Sequence, residues 1–124
     1  MKLVVSGGRN VYLSAEGYKL LGEIIREYNI EEVCTGENAN GIDRCVKEYC
    51  KQFNIKYKGF PAKWILYGSK AGPLRNAEML QYITKDGLLI LFTGGRGTLS
   101  ALKEGIKVDC EIKNFMDRKD LVLL

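Results

Sequence analysis

Residues 88–92 read Leu-Leu-Ile-Leu-Phe, apolar at every position. A strand of that composition has no face to leave in water, so it belongs at the centre of a sheet covered on both sides. The rest of the chain alternates further strands with helices that supply the cover. Leu3, Val4 and Val5 form a short buried strand ending at Ser6-Gly7-Gly8, and a helix follows from about Ser14, with Leu20, Leu21, Ile24, Ile25 and Tyr28 on one face. A second strand is expected around residues 32–35. Ile42, Cys45, Val46, Tyr49, Cys50 and Phe53 lie on one helical stripe, and residues 55–60 read as a third strand. Leu74, Ala77, Leu80 and Ile83 mark another helix, and Leu99, Leu102 and Ile106 are expected to be the buried side of the helix after the central strand. Val108, Cys110 and Ile112 alternate with Asp109, Glu111 and Lys113, the pattern of an edge strand with one wet face.

Regular strand–helix alternation requires crossover connections, hence an α/β fold with a mostly parallel sheet and helices on both faces, a single Rossmann-like three-layer domain. A chain of 124 residues, 46% apolar and without low-complexity stretches, is expected to be one domain over residues 1–124, its motif-bearing core over 1–108 and an edge strand and tail over 109–124. Leu121 to Leu124 either pair with a second chain or fold back over the sheet.

Several function classes are excluded or weakened at this level. No apolar run reaches the roughly 18 to 20 residues of a membrane span, and the apolar start is cut by Ser6-Gly7-Gly8 too early for a signal peptide, so a cytoplasmic location is expected. Cys34, Cys45, Cys50 and Cys110 show no CxxC spacing and there is no histidine, so no metal site is expected and the thiols read as small buried hydrophobes. The net charge of +4 is spread among acidic residues, without the basic stripe and interleaved aromatics that single-stranded nucleic acid would need.

In a doubly wound sheet, ligands bind outside the carboxyl ends of the strands, where chain order reverses. Three glycine-bearing loops are expected at such ends: Ser6-Gly7-Gly8-Arg9-Asn10, Thr35-Gly36-Glu37-Asn38, and Thr93-Gly94-Gly95-Arg96-Gly97-Thr98. Glycine lets backbone amides approach a ligand, and a helix starting at Gly97 or Thr98 would aim unpaired amides and its positive dipole end at an anion such as phosphate. Thr98 either donates its hydroxyl to that anion or caps the helix. Pro73 suits the start of a helix, which would put Arg75 and Asn76 in the opening turn. There a guanidinium can make two parallel bonds to phosphate and an amide can donate to a ribose or phosphate or read a base edge. The alternatives are a surface arginine and an asparagine that ties down the loop, and Trp64 either stacks on a base or plugs the rim of the core.

SGGRN at 6–10, TGENANGIDR at 35–44, FPAKW at 60–64, AGPLRNAEML at 71–80 and GGRGT at 94–98 occur in the order and at the separations that resemble the YspA and YpsA-related branch of the SLOG superfamily. The resemblance implies a compact Rossmann-like domain that binds nucleotides or nucleotide-derived ligands, among them ADP-ribose-like or cyclic nucleotides, often as a homodimer or higher assembly. Some relatives act in antiviral defence. Carried over by position, the site comprises Ser6, Gly7, Gly8 and Arg9; Gly36, Glu37, Asn38 and Asp43; Arg75 and Asn76; and Gly94, Gly95, Gly97 and Thr98. Asp43 also fits a structural role, favouring the dipole of its own helix. No cofactor is implied. LOG-type phosphoribohydrolases of the wider superfamily carry glutamates after the GGxGT loop, where this chain has Ser100 and Ala101, neither able to act as a carboxylate in base release. The expected function is therefore non-catalytic binding of a nucleotide-derived molecule by a sensor or sequestering protein, such as a viral protein that captures a signalling nucleotide in host cytoplasm. A phosphoribohydrolase that uses Glu37 or Glu104 is the alternative.

Overall fold

The computed structural model describes residues 1–124. In chain order it comprises β1 (Lys2–Ser6), β2 (Tyr12–Leu13), α1 (Ala15–Glu27), β3 (Glu32–Thr35), α2 (Gly41–Gln52), β4 (Tyr57–Gly59), α3 (Trp64–Tyr67), α4 (Ala71–Ile83), β5 (Leu88–Leu91), α5 (Arg96–Val108), β6 (Glu111–Asn114) and β7 (Val122–Leu123). Five strands form a parallel sheet in the order β4-β3-β1-β5-β6, while β2 and β7 pair antiparallel in a separate ribbon.

The period-two alternation of strands sorts the core into two layers. Leu3, Val5, Val33, Leu88 and Ile90 meet Leu21 and Ile24 of α1 and Ile42, Val46 and Cys50 of α2 on one face. Val4, Cys34, Leu89 and Leu91 meet Met79, Leu80 and Ile83 of α4 and Ala101 of α5 on the other. All residues of β5 are fully buried, as their uniform hydrophobicity requires. The fold is thus an α/β Rossmann-like sandwich with helices on both faces. The four cysteines are buried free thiols, and no helix is long and apolar enough to cross a membrane.

Ser14 caps α1, its Oγ accepting from the amide of Gly17 at 3.2 Å. Four expectations need correction. Helix α4 begins at Ala71, so Pro73 is its third residue, still within the turn where a proline nitrogen loses no helical bond. Helix α5 begins at Arg96 rather than Gly97 or Thr98. Its inward face is Thr98, Ala101 and Gly105, whereas Leu99 and Ile106 are more than half exposed. The helix lies so close to the sheet that a Cβ on Gly105 would stand 2.6 Å from Cδ2 of Leu89, and only small residues fit there. Val108 belongs to α5, which closes on Asp109 in the left-handed conformation (φ 60°), so the edge strand begins only at Glu111.

The C-terminal residues fold back on their own chain. Leu121 and Val122 are buried in the layer that holds α1 and α2, and Ser14 donates from its amide to the Leu121 carbonyl (3.0 Å) and from its hydroxyl to the Asp120 carbonyl (2.6 Å).

Candidate functional site

From β1 the chain steps outward to β3 and β4, then returns to the opposite side of β1 to form β5 and β6. The reversal of order therefore falls between β1 and β5, and the loops leaving their carboxyl ends part there. A cleft of about 530 Å³ occupies this crevice, within the range of small-molecule sites. Ser6 at the end of β1 and Gly7, Gly8 and Arg9 after it line the cleft, with Gly36 and Asn38 from the β3–α2 connection, Asp43 from the first turn of α2, Arg75 and Asn76 from α4, Gly94 and Gly95 just before α5, and Gly97 and Thr98 from its first turn. The residues singled out in the sequence thus converge on one cavity, with one exception. Glu37 turns away to an ion pair with Lys47 (3.0 Å) and packs against Gly59. The cleft also takes in Asn10, Val11, Met79, Thr93 and Arg96, of which Asn10 and Arg96 stood unassigned inside the SGGRN and GGRGT strings.

The loops are stitched together by their own backbone. Gly8 donates to the Thr93 carbonyl (2.9 Å) and accepts from the Ile42 amide (3.1 Å), so the first loop holds both the start of α5 and the start of α2. Gly41, at φ 76°, faces the Gly8 carbonyl and the Arg9 backbone so closely that no Cβ could be accommodated. The amide of Gly8 is consequently spent within the protein.

The start of α5 is different. The first of its amides with a backbone acceptor belongs to Leu99, bonded to the Gly95 carbonyl at 3.1 Å. Those of Gly94, Gly95, Arg96, Gly97 and Thr98 have none, and no side chain caps the helix. A Cβ on Gly95 or Gly97 would meet nothing within 4 Å, so no packing contact inside the protein demands glycine at either position. Thr98 is only 2% exposed, yet its hydroxyl makes no hydrogen bond to the protein. This is a helix terminus with its positive dipole end open, a ready anion site.

Arg75 and Asn76 are buried, and both are largely occupied. Arg75 donates from Nε to Asn76 Oδ1 (2.8 Å) and from Nη1 to the carbonyls of Gly36 and Phe60, leaving Nη2 without a protein acceptor. Asn76 Nδ2 donates to the Gly97 carbonyl and to Ser100 Oγ, each at 3.2 Å. The pair clamps the β3 loop to the start of α5, and the parallel guanidinium fork expected for a phosphate is instead turned on the protein's own carbonyls. Burial and then the nearby charge of Arg9 lower the Arg75 pKa, against the opposing pull of Asp43.

No protein-family model, curated protein or solved structure matches the chain. The chemistry available to the cleft is therefore read from its own side chains. Asp43, 5% exposed, is its one carboxylate. Burial raises its pKa to about 6, against the opposing effect of an Asn38 amide bonded to Oδ2 at 3.1 Å and of the Arg75 charge. Against that single acid stand the guanidinium groups of Arg9, Arg75 and Arg96. Glu104, paired with Lys107 at 3.2 Å, does not line the cleft, and no three His, Cys, Asp or Glu side chains converge as metal ligands would.

Proposed function

We propose that the chain is a SLOG-type binding protein that holds a nucleotide or nucleotide-derived small molecule by its phosphate, without chemical change and without a cofactor, as a sensor or sequestering protein. The observation that carries this reading is the run of unpaired amides over residues 94–98, all of which line the cleft beside the free Thr98 hydroxyl and the side chains of Arg9 and Arg96. Several unpaired amides gathered at a helix N-terminus are what an anion requires. Isothermal titration against nucleoside monophosphates, cyclic dinucleotides and ADP-ribose derivatives tests the proposal. At least one phosphate-bearing ligand is expected to give saturable heat, and silence across the panel at high micromolar ligand overturns it.

Self-association forms part of the same reading. Trp64, Ile65, Leu66 and Tyr67 leave large apolar side chains in water, Ile65 wholly so, and Tyr67 shares a groove with the half-exposed Leu74. Exposed apolar surface of this kind is the mark of an interaction face.

One observation favours a second reading, a phosphoribohydrolase. Asp43 is a buried carboxyl in the cleft whose pKa lies near 6, within reach of general acid work. Incubation with nucleoside monophosphates separates the two, because a binder returns its ligand intact while a hydrolase releases free base.

A further inference from the structure

We infer that a second copy of this chain docks edge to edge on β6, joining the two sheets into one across a twofold axis at Ile112. The inference rests on the self-association reading above, gives it a surface away from α3, and is independent of the phosphate site.

Strand β6 ends the sheet, with β5 on one side and no strand on the other. Along a strand, the backbone groups of successive residues point to alternate sides. Phe115 donates to the Leu91 carbonyl (2.8 Å), so the groups of Glu111 and Lys113 also face β5, while those of Ile112 and Asn114 point outward. Such a row of unpaired donors and acceptors is a template for another strand.

The side chains of β6 select the same strand as its partner and fix the register. Glu111 accepts from the Tyr28 hydroxyl (2.8 Å) and the Lys113 ammonium lies 5.5 Å from the Tyr28 ring, so both side chains lie on the α1 face of the sheet. Ile112 lies on the other face, under α5, where a Cβ on Gly105 would stand 3.3 Å from its Cδ1. Antiparallel pairing about an axis at Ile112 sets Glu111 opposite the partner's Lys113 and Lys113 opposite the partner's Glu111, two attractive cross-strand pairs. The outward groups of Ile112 then meet those of the partner's Ile112 as a hydrogen-bonded pair. An axis at Lys113 would instead oppose like charges. Charges that guard an edge against unspecific pairing are thus matched by the same strand run in reverse. Their mixed sign offers little to a nucleic acid or an anionic membrane.

Helix α5 adds an apolar seam at this edge. Leu99, Leu102 and Ile106 follow the three-four spacing of a helix–helix seam, and Leu99 and Ile106 are 54% and 63% exposed. Ser100, bonded by Asn76, marks the side of α5 that faces α4. At about 100° per residue the stripe centres roughly 120° from Ser100, on the flank turned from α4 toward β6. The axis at Ile112 brings this flank toward its copy and covers apolar side chains that one chain leaves in water.

Sedimentation velocity from micromolar to submillimolar protein tests the inference, with the denaturation midpoint of each variant as a check on folding. Ile65→Glu puts a charge on the α3 surface and so isolates the β6 edge. That variant is expected to sediment at twice the 14.0 kDa of the chain. In the same background, Ile106→Glu is expected to weaken the dimer at least about tenfold. Glu111→Lys and Lys113→Glu are each expected to do the same, because each opposes like charges twice across the axis, and the two reversals combined should return the affinity to within about threefold. Amide exchange at Ile112 and Asn114 should slow as the dimer forms. An Ile65→Glu chain that is monomeric while the parent assembles overturns the inference and leaves self-association standing. A dimer indifferent to Ile106→Glu and to the single reversals, or one that the combined reversals fail to restore, overturns it as well. A parent chain monomeric throughout removes both this inference and the self-association it rests on.

Discussion

At the scale of single residues, Arg75 and Asp43 show how position and role separate. Arg75→Ala would strip hydrogen bonds from the Gly36 and Phe60 carbonyls and from Asn76 Oδ1, all in a buried site. An expected loss of about 2 to 4 kcal/mol in stability follows, since buried acceptors are left unpaired. Arg75→Lys should recover little of it, because a point ammonium cannot bridge acceptors on three sides as the fork does, and denaturant melts of both variants check this. For Asp43 the sign is fixed by its raised folded-state pKa. Its unfolded carboxyl ionises near pH 4 and its folded one near pH 6, so its contribution is fully favourable below about pH 4 and is lost as pH rises through 6. Two units correspond to about 3 kcal/mol. Stability measured at pH 4.5 and 7.5 should therefore differ less in Asp43→Asn than in the parent chain, and an unchanged difference between the pH values would show that Asp43 titrates normally.

At the scale of elements, the strands and the order of helices could be read from hydrophobic pattern because burial on both faces leaves so little choice of residue, as in β5. The same pattern misplaced the buried face of α5 by one residue, from Thr98, Ala101 and Gly105 to Leu99, Leu102 and Ile106. Periodicity assumes that bulk marks the core, whereas close approach of a helix to a sheet selects for small side chains, as Gly105 against Leu89 shows. The site loops are legible in the sequence from their glycines and their places after strands. What their residues do with their donors is not legible there, because most acceptors of Arg75 and Asn76, the Gly36, Phe60 and Gly97 carbonyls and the Ser100 hydroxyl, are brought in by long-range folding. The single turn of α3 gives no periodic signal over its 4 residues, and the two-residue strands β2 and β7 give none either. Helix α5 also offers a separation of folding from binding. A methyl on Gly97 meets no protein atom within 4 Å. Gly97→Ala should leave stability unchanged or raise it by about 0.5 to 1 kcal/mol, while the new methyl crowds the anion and weakens its binding.

At the scale of the whole molecule, the C-terminal residues close the fold over α1. Leu121 is 2% exposed among the residues of the α1 and α2 layer, and its carbonyl sits where a Cβ on Gly17 would be. Leu121→Ala should cost about 2 to 5 kcal/mol, read as a lowered denaturation midpoint with no change in ligand affinity for the protein that remains folded. A loss of affinity in step with stability would mean that this layer and the cleft are coupled. The cleft itself is held by contacts among its loops and helices α2, α4 and α5, and the central claim is that the start of α5, residues 94–98, offers its unpaired amides to one anion. Amide-resolved NMR titration with AMP tests that claim most directly. The amide signals of residues 94–98 are expected to move furthest and to saturate together with those of the loop after β1, which lines the same cleft. Saturable binding that leaves those amides in place and moves signals elsewhere would contradict it.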